Sequence, residues 1–159
     1  MKQLDIEAYH PITLEHIEYL QFEFARLTAR LEPPFLFPTF EVNILDIQVQ
    51  DDLTAHLIMQ VATTPIPESA DPEEKLPVLR FSFTLIAHFS CVEYEGAKEA
   101  LDTFMAAETP SLIAWPYVRG FVADMVNRAG LPDYHLPLLQ IRVTSEEQES
   151  HSTDSESQA

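Results

Sequence analysis

From Leu79 to Val92 the chain alternates in hydrophobicity without a slip. Leu79, Phe81, Phe83, Leu85, Ala87, Phe89 and Cys91 take the odd positions, against Arg80, Ser82 and Thr84 on the even ones. A period of two with aromatic side chains predicts a half-buried strand of an antiparallel sheet. Leu53 to Thr64 repeats the pattern through Leu53, Ala55, Leu57, Met59 and Val61. Ahead of it Phe40, Val42 and Ile44 alternate, and then Leu45, Ile47 and Val49 take over in the opposite phase. Such a flip predicts a β-bulge at Ile44–Leu45. Gln50-Asp51-Asp52 supplies a polar turn between these two strands. The proline- and acid-rich run from Pro65 to Pro77 reads as a loop leading into the next strand.

The N-terminal quarter fits two periods at once. Leu14, Ile17, Leu20, Phe24, Leu27 and Leu31 have helical spacing with Thr13 as a cap, while Leu20, Phe22 and Phe24 alternate as in a strand. After the sheet, Tyr94 to Glu108 predicts a helix with Ala97, Ala100, Leu101, Phe104 and Met105 on one side. Thr109-Pro110 is expected to break it. A second helix is expected to begin near Trp115-Pro116, with a stripe of Val118, Phe121, Val122, Met125 and Val126, and to stop at Gly130. Leu131 to Ile141 then carries four leucines and an isoleucine, an apolar segment that the intervening prolines keep from rejoining the helix. Strands first and helices last describe an α+β domain, its helices laid on one face of an antiparallel sheet.

Composition narrows the function. The chain of 159 residues suits one domain, expected over 1–143, and its single cysteine, Cys91, excludes an intrachain disulfide and fits a reducing cytoplasm. Residues 144–159 hold five acids and no large apolar side chain, the composition of a disordered acidic tail. With 26 acidic against 9 basic residues the formal charge is −17; without the tail it is 21 against 9, or −12. This argues against nucleic acid and against an anionic membrane surface, both of which require basic residues. It suits basic partners, or serves simply to keep a protein with apolar surface in solution. No apolar run reaches the length of a membrane span.

Catalytic and metal chemistry find little footing in the pattern. The histidines at 10, 16, 56, 88, 135 and 151 show no ligand spacing with Cys91 or with paired acids, so no metal site and no cofactor are expected. His56 and His88 are expected to face each other across neighbouring strands. Cys91 lies on an apolar strand face and reads as a buried thiol. The glycines, at 96, 120 and 130, form no phosphate-cradling loop, and no carboxylate has an acid/base companion fixed by spacing. No catalytic residue is assigned.

Several segments, in order, resemble the SecB family of protein-export chaperones across roughly residues 12–143. Phe89-Ser90 followed by Glu95-Gly96 is similar to the family's Phe-Ser…Glu-Gly, and Trp115-Pro116-Tyr117-Val118-Arg119 to its Phe/Trp-Pro-Tyr-Ala-Arg. Met125-Val126-Asn127-Arg128 with Gly130-Leu131-Pro132 resembles Met-Val-Ser-Arg-Gly-Thr-Phe-Pro, one residue displaced at the glycine. Gln21-Phe22-Glu23-Phe24-Ala25 is similar to the end of the first SecB strand, which favours strand over helix there and makes the sheet four-stranded. The resemblance implies a homotetramer built as a dimer of dimers. It implies an ATP-independent holdase that binds unfolded precursor proteins in apolar grooves and passes them to the SecA motor. By position the groove residues would be Val42, Ile44, Leu139 and Ile141, the alternative being that these are ordinary core residues. Of the acidic positions that SecB proteins present to SecA only Glu23 is matched, with Tyr19 and Ser82 at two others. The chain also turns polar directly after Val143, so holding unfolded protein is favoured over docking on SecA. Some SecB-like chaperones guard one antitoxin, and that is the alternative function; a small α+β enzyme or ligand-binding protein is the remaining one.

Overall fold

A computed structural model describes residues 10–30, 35–66, 76–131, 134 and 136. Leu139, Ile141 and the acidic 144–159 segment lie outside them. The elements run β1 (Ile12–Arg26), β2 (Phe40–Val49), β3 (Thr54–Thr63), β4 (Leu79–Cys91), α1 (Ala97–Ala106) and α2 (Thr109–Arg128). The strands form one four-stranded antiparallel sheet in the order β1-β4-β3-β2. This is the α+β architecture that the alternation and element order predict.

The alternation decides which side each residue faces. All odd positions of β3 and β4 are buried, and the even ones are partly exposed. The buried face lies against the helices, where Leu101 and Met105 of α1 and Ala114, Trp115, Val118, Val122 and Val126 of α2 join the same core. Aromatic pairs tie the layers together: Phe104 meets Phe89 edge-on at 5.6 Å, and Phe121 meets Phe83 at 5.1 Å. Cys91 is a buried free thiol. The β2–β3 register slips between Ile44 and Asp46, at the expected bulge. The turn closes through Gln50 N–H to Thr54 O, 2.8 Å, and through the Asp52 carboxylate, which accepts from Thr54 N–H and Oγ1.

The segment with two competing periods, Ile12–Arg26, is a strand, as the resemblance favours, and its register against β4 slips twice, between Leu14 and His16 and between Tyr19 and Gln21. One expectation needs correction. The second helix starts at Thr109, not near Trp115, and the break falls at Ala107, which is extended. Pro110 sits in the first turn, where its missing N–H has no intrahelical partner to lose. Pro116 lies inside the helix and forfeits the bond to the Leu112 carbonyl. Burial of Ala114, Trp115 and Val118 around it, with the indole stacked on Phe40 at 5.9 Å, offsets that loss.

Gly130 ends α2 as expected. At φ +66° it takes the left-handed conformation; its N–H reaches Asn127 O, and Leu131 N–H reaches Val126 O. This is a Schellman cap, closed by buried Leu131 and Val126. Gly130→Ala should therefore cost about 1 kcal/mol. Gly120→Ala, in the helix interior with open space where a Cβ would project, should add about 0.5–1 kcal/mol. Urea unfolding of the two variants should shift in opposite directions.

His56 and His88 do face each other, with ring centroids 4.5 Å apart. Burial first, then His88, pushes the His56 imidazole below its ordinary pKa, with His16 acting the same way and Asp52 and Glu18 opposing. A depressed native pKa means the unfolded chain binds the extra proton, so stability falls as pH drops through about 6.5. His56→Gln should make unfolding less sensitive to pH below that value, as followed by thermal melts from pH 7.5 to 5.

Candidate functional site

The helices touch β2 unevenly along its length. At one end of β2, Trp115 stands on Phe40. At the other, Lys98 of α1 donates to the Gln50 carbonyl at 2.8 Å. Between these two footings β2 is poorly covered: Ile44 is 51% exposed, Leu45 54% and Ile47 38%. Ile44 and Ile47 pair with buried Met59 and Leu57 and so belong to the helix-side face, while Leu45 is the extra residue at the bulge. Because β2 is also an edge strand, its outer backbone groups have no neighbour in the sheet. Among the described residues the result is a run of large apolar side chains, Ile44 to Ile47, beside a strand edge with no sheet partner. It is flanked on the same face by Phe40, Val42 and Val49, which are packed against the core.

The opposite edge has a smaller counterpart. Phe22 is 56% exposed and meets Phe121 edge-on at 5.9 Å, and Leu20 is exposed at the second bulge of β1. Tyr19 stacks on Phe121 at 4.1 Å and donates its hydroxyl to the Tyr117 carbonyl at 3.3 Å. Burial raises the pKa of this phenol, which keeps it a donor. Tyr19 thus shares the helix-side face with its partner Leu85, on the side of the sheet opposite Glu23 and Ser82. Leu112, Ile113 and Tyr117 add exposed apolar surface on α2 itself.

The four proposed groove residues fare differently. Ile44 is exposed and Val42 half-buried on the same strand, whereas Leu139 and Ile141 lie outside the described residues. Glu23 is exposed at the far edge, paired with Ser82, with β4 and β3 between it and β2. It lines a cleft of about 660 Å³ with Phe22, Phe24, Ile66 and Arg80. The structure therefore joins Val42 and Ile44 and separates both from Glu23. Sequence reasoning missed Leu45 and Ile47 as surface residues. No local signal marks them, because the bulge keeps Ile44 and Ile47 on the same helix-side face and their exposure depends on where the helices stop.

No family model matches the chain, and no curated protein matches it in sequence. Among solved structures it is similar to a SecB-like chaperone of Mycobacterium tuberculosis in complex with a ChAD peptide from an antitoxin. The TM-score is 0.56 at 18% identity, covering 82% of this chain and 91% of that one. The fold is thus SecB-like.

If the β2 row is surface and not core, replacing it should spare the fold. Ile44→Ser and Ile47→Ser should each cost only about 1 kcal/mol, since about half of each side chain is buried. Leu57→Ala, at the buried partner of Ile47 on the neighbouring strand, should cost about 2–5 kcal/mol. Denaturant midpoints of the three variants check this.

Proposed function

We propose that the protein is an ATP-independent chaperone that holds unfolded segments of other proteins against the exposed apolar row of β2, and that it is not an enzyme. The observation that carries this reading is the combination of Ile44, Leu45 and Ile47 on an uncovered edge strand with a SecB-like fold. An extended client laid along β2 would place alternate side chains on that row and pair its backbone with the strand edge. Leu139 and Ile141 would form the facing wall of the groove.

Magnitudes set the expected mode of binding. Covering three half-exposed side chains gives each roughly 1 kcal/mol, half of what full burial of such a residue contributes. Each backbone hydrogen bond adds about 0.5–1.5 kcal/mol. A single protomer would therefore hold a client weakly, and useful affinity requires several sites in one assembly acting through effective concentration. This argues for the homotetramer, whose four chains would carry 4 × −17 = −68 in formal charge. Such an excess keeps the loaded complex soluble and favours clients with basic segments. The work fits a cytoplasmic protein, and no helix among the described residues is long and apolar enough to cross a membrane.

Two client ranges remain distinct. A general holdase would take many precursors and hand some to SecA, with Glu23 as the docking carboxylate; one exposed acid is a small contact for that purpose. A guardian of a single partner is favoured by the antitoxin peptide held by the structurally similar chaperone.

Suppression of aggregation separates these readings. The protein, without nucleotide, should prevent aggregation of a reduced, unfolded protein at near-stoichiometric ratio, and Ile44→Asp with Leu45→Asp should abolish most of that effect with the oligomer intact by light scattering. Protection of one neighbour-encoded partner, with failure on several unrelated clients, would establish the dedicated guardian. Failure on all of them would reject the chaperone reading.

A further inference from the structure

Three histidines from three strands meet on the sheet face that points away from the helices. His88 of β4 is the register partner of His16 on one side and of His56 on the other. The His16 and His88 rings are stacked at 4.1 Å and 12°. Glu18, next along the same face of β1, brings its Oε2 to 3.2 Å from His88 Nε2. One ligand atom from each of His16, Glu18 and His88 lies within 4.8 Å of the other two. Linear spacing hides this group, because the strands that carry it are 70 residues apart, as measured by the Glu18–His88 bond.

We infer that His16, His88 and Glu18 form a binding site for a divalent transition-metal ion such as Zn²⁺ or Co²⁺. Two imidazoles and one carboxylate are the donors such ions take, whereas Ca²⁺ and Mg²⁺ require oxygen ligands throughout. In a tetrahedral site with bonds of 2.0–2.1 Å, donor atoms stand about 3.4 Å apart. Glu18 and His88 already meet that spacing, and the remaining closure, at most about 1.4 Å from the 4.8 Å limit, is within reach of side-chain rotation without backbone movement. The bulge between Leu14 and His16 turns His16 toward this face, and the bulged Glu15 is tied to β4 by accepting a hydrogen bond from the Ser90 hydroxyl. The site's backbone is therefore fixed on both strands. Three protein ligands leave the remaining coordination positions to water on the side away from the sheet. The site lies on the face opposite the helices and does not depend on the chaperone reading.

The test is titration of Zn²⁺ and of Co²⁺ into the full chain after treatment with a chelator, by calorimetry and by cobalt d–d absorption. One ion should bind per chain. His16→Ala, His88→Ala and Glu18→Gln should each weaken binding by about tenfold or more, the scale of loss when metal-site partners are removed. His10→Ala should leave it unchanged. Far-UV circular dichroism keeps the readout meaningful, since both His16 and Glu18 are exposed and their replacement should not disturb the fold. Absence of saturable binding, or binding by the His16 and His88 variants equal to that of the parent chain, would overturn the assignment.

Discussion

Strand β4 is the element on which the rest of the molecule depends. Its backbone is paired on both sides, to β1 and to β3, and its odd side chains form the floor beneath both helices. Phe83 and Phe89 anchor α2 and α1 respectively through Phe121 and Phe104. The helices also reach both margins, α2 at β1 through Tyr19 and Phe121 and at β2 through Trp115 and Phe40, yet some large apolar side chains on both edge strands stay exposed. These form the apolar surface at Ile44–Ile47 and at Leu20–Phe22. The two edge strands are therefore able to make further contacts at these residues.

Such edges are hazardous, since an open strand beside apolar side chains is a template for aggregation. The chain counters this in two ways. Bulges in β1 and β2 interrupt a flat pairing edge, and Asp46, at the β2 bulge, accepts from Ile47 N–H and from the Gln48 side chain. A formal charge of −17 also sets copies of the chain against one another. Screening confines that repulsion to about 8 Å at physiological salt. It acts at contact, where edge-to-edge pairing would begin, and does not prevent a basic or neutral extended segment from docking.

Most of the fold was legible wherever one periodicity ran unbroken. The odd positions of β3 and β4, the slip at Ile44 and the left-handed stop at Gly130 all appear where local pattern places them, because each is decided within a few residues. Three features were not legible. Pro116 stays helical only because Trp115 and Val118 are buried by distant strands, a tertiary effect that no local rule carries. The exposure of Leu45 and Ile47 depends on where the helices stop. The pairing of His56 with His88 was legible, but the arrival of His16 and Glu18 beside them depends on a bulged register between strands far apart in sequence.

The N-terminal strand shows the same limit most fully. Its helix-side residues are Ile12, Leu14, Ile17, Tyr19, Phe22 and Phe24, opposite Cys91, Phe89, Ala87, Leu85, Phe83 and Phe81. Their spacings are two, three, two, three and two, because each bulge inserts one residue. The mean falls between the strand period of two and the helical 3.6, which is why Leu14, Ile17, Leu20 and Phe24 imitate a helix face. The bulges also determine the chemistry of both faces. In a regular strand starting from Ile12, His16 and Glu18 would point under the helices, while Ile17 and Tyr19 would face the other way. The first bulge reverses that order, packing Ile17 and Tyr19 into the core and delivering His16 and Glu18 to His88. The second restores the original phase, so that Phe22 and Phe24 return to the helix side. Two inserted residues thus let one strand support the core beneath α2 and carry a polar cluster on its reverse.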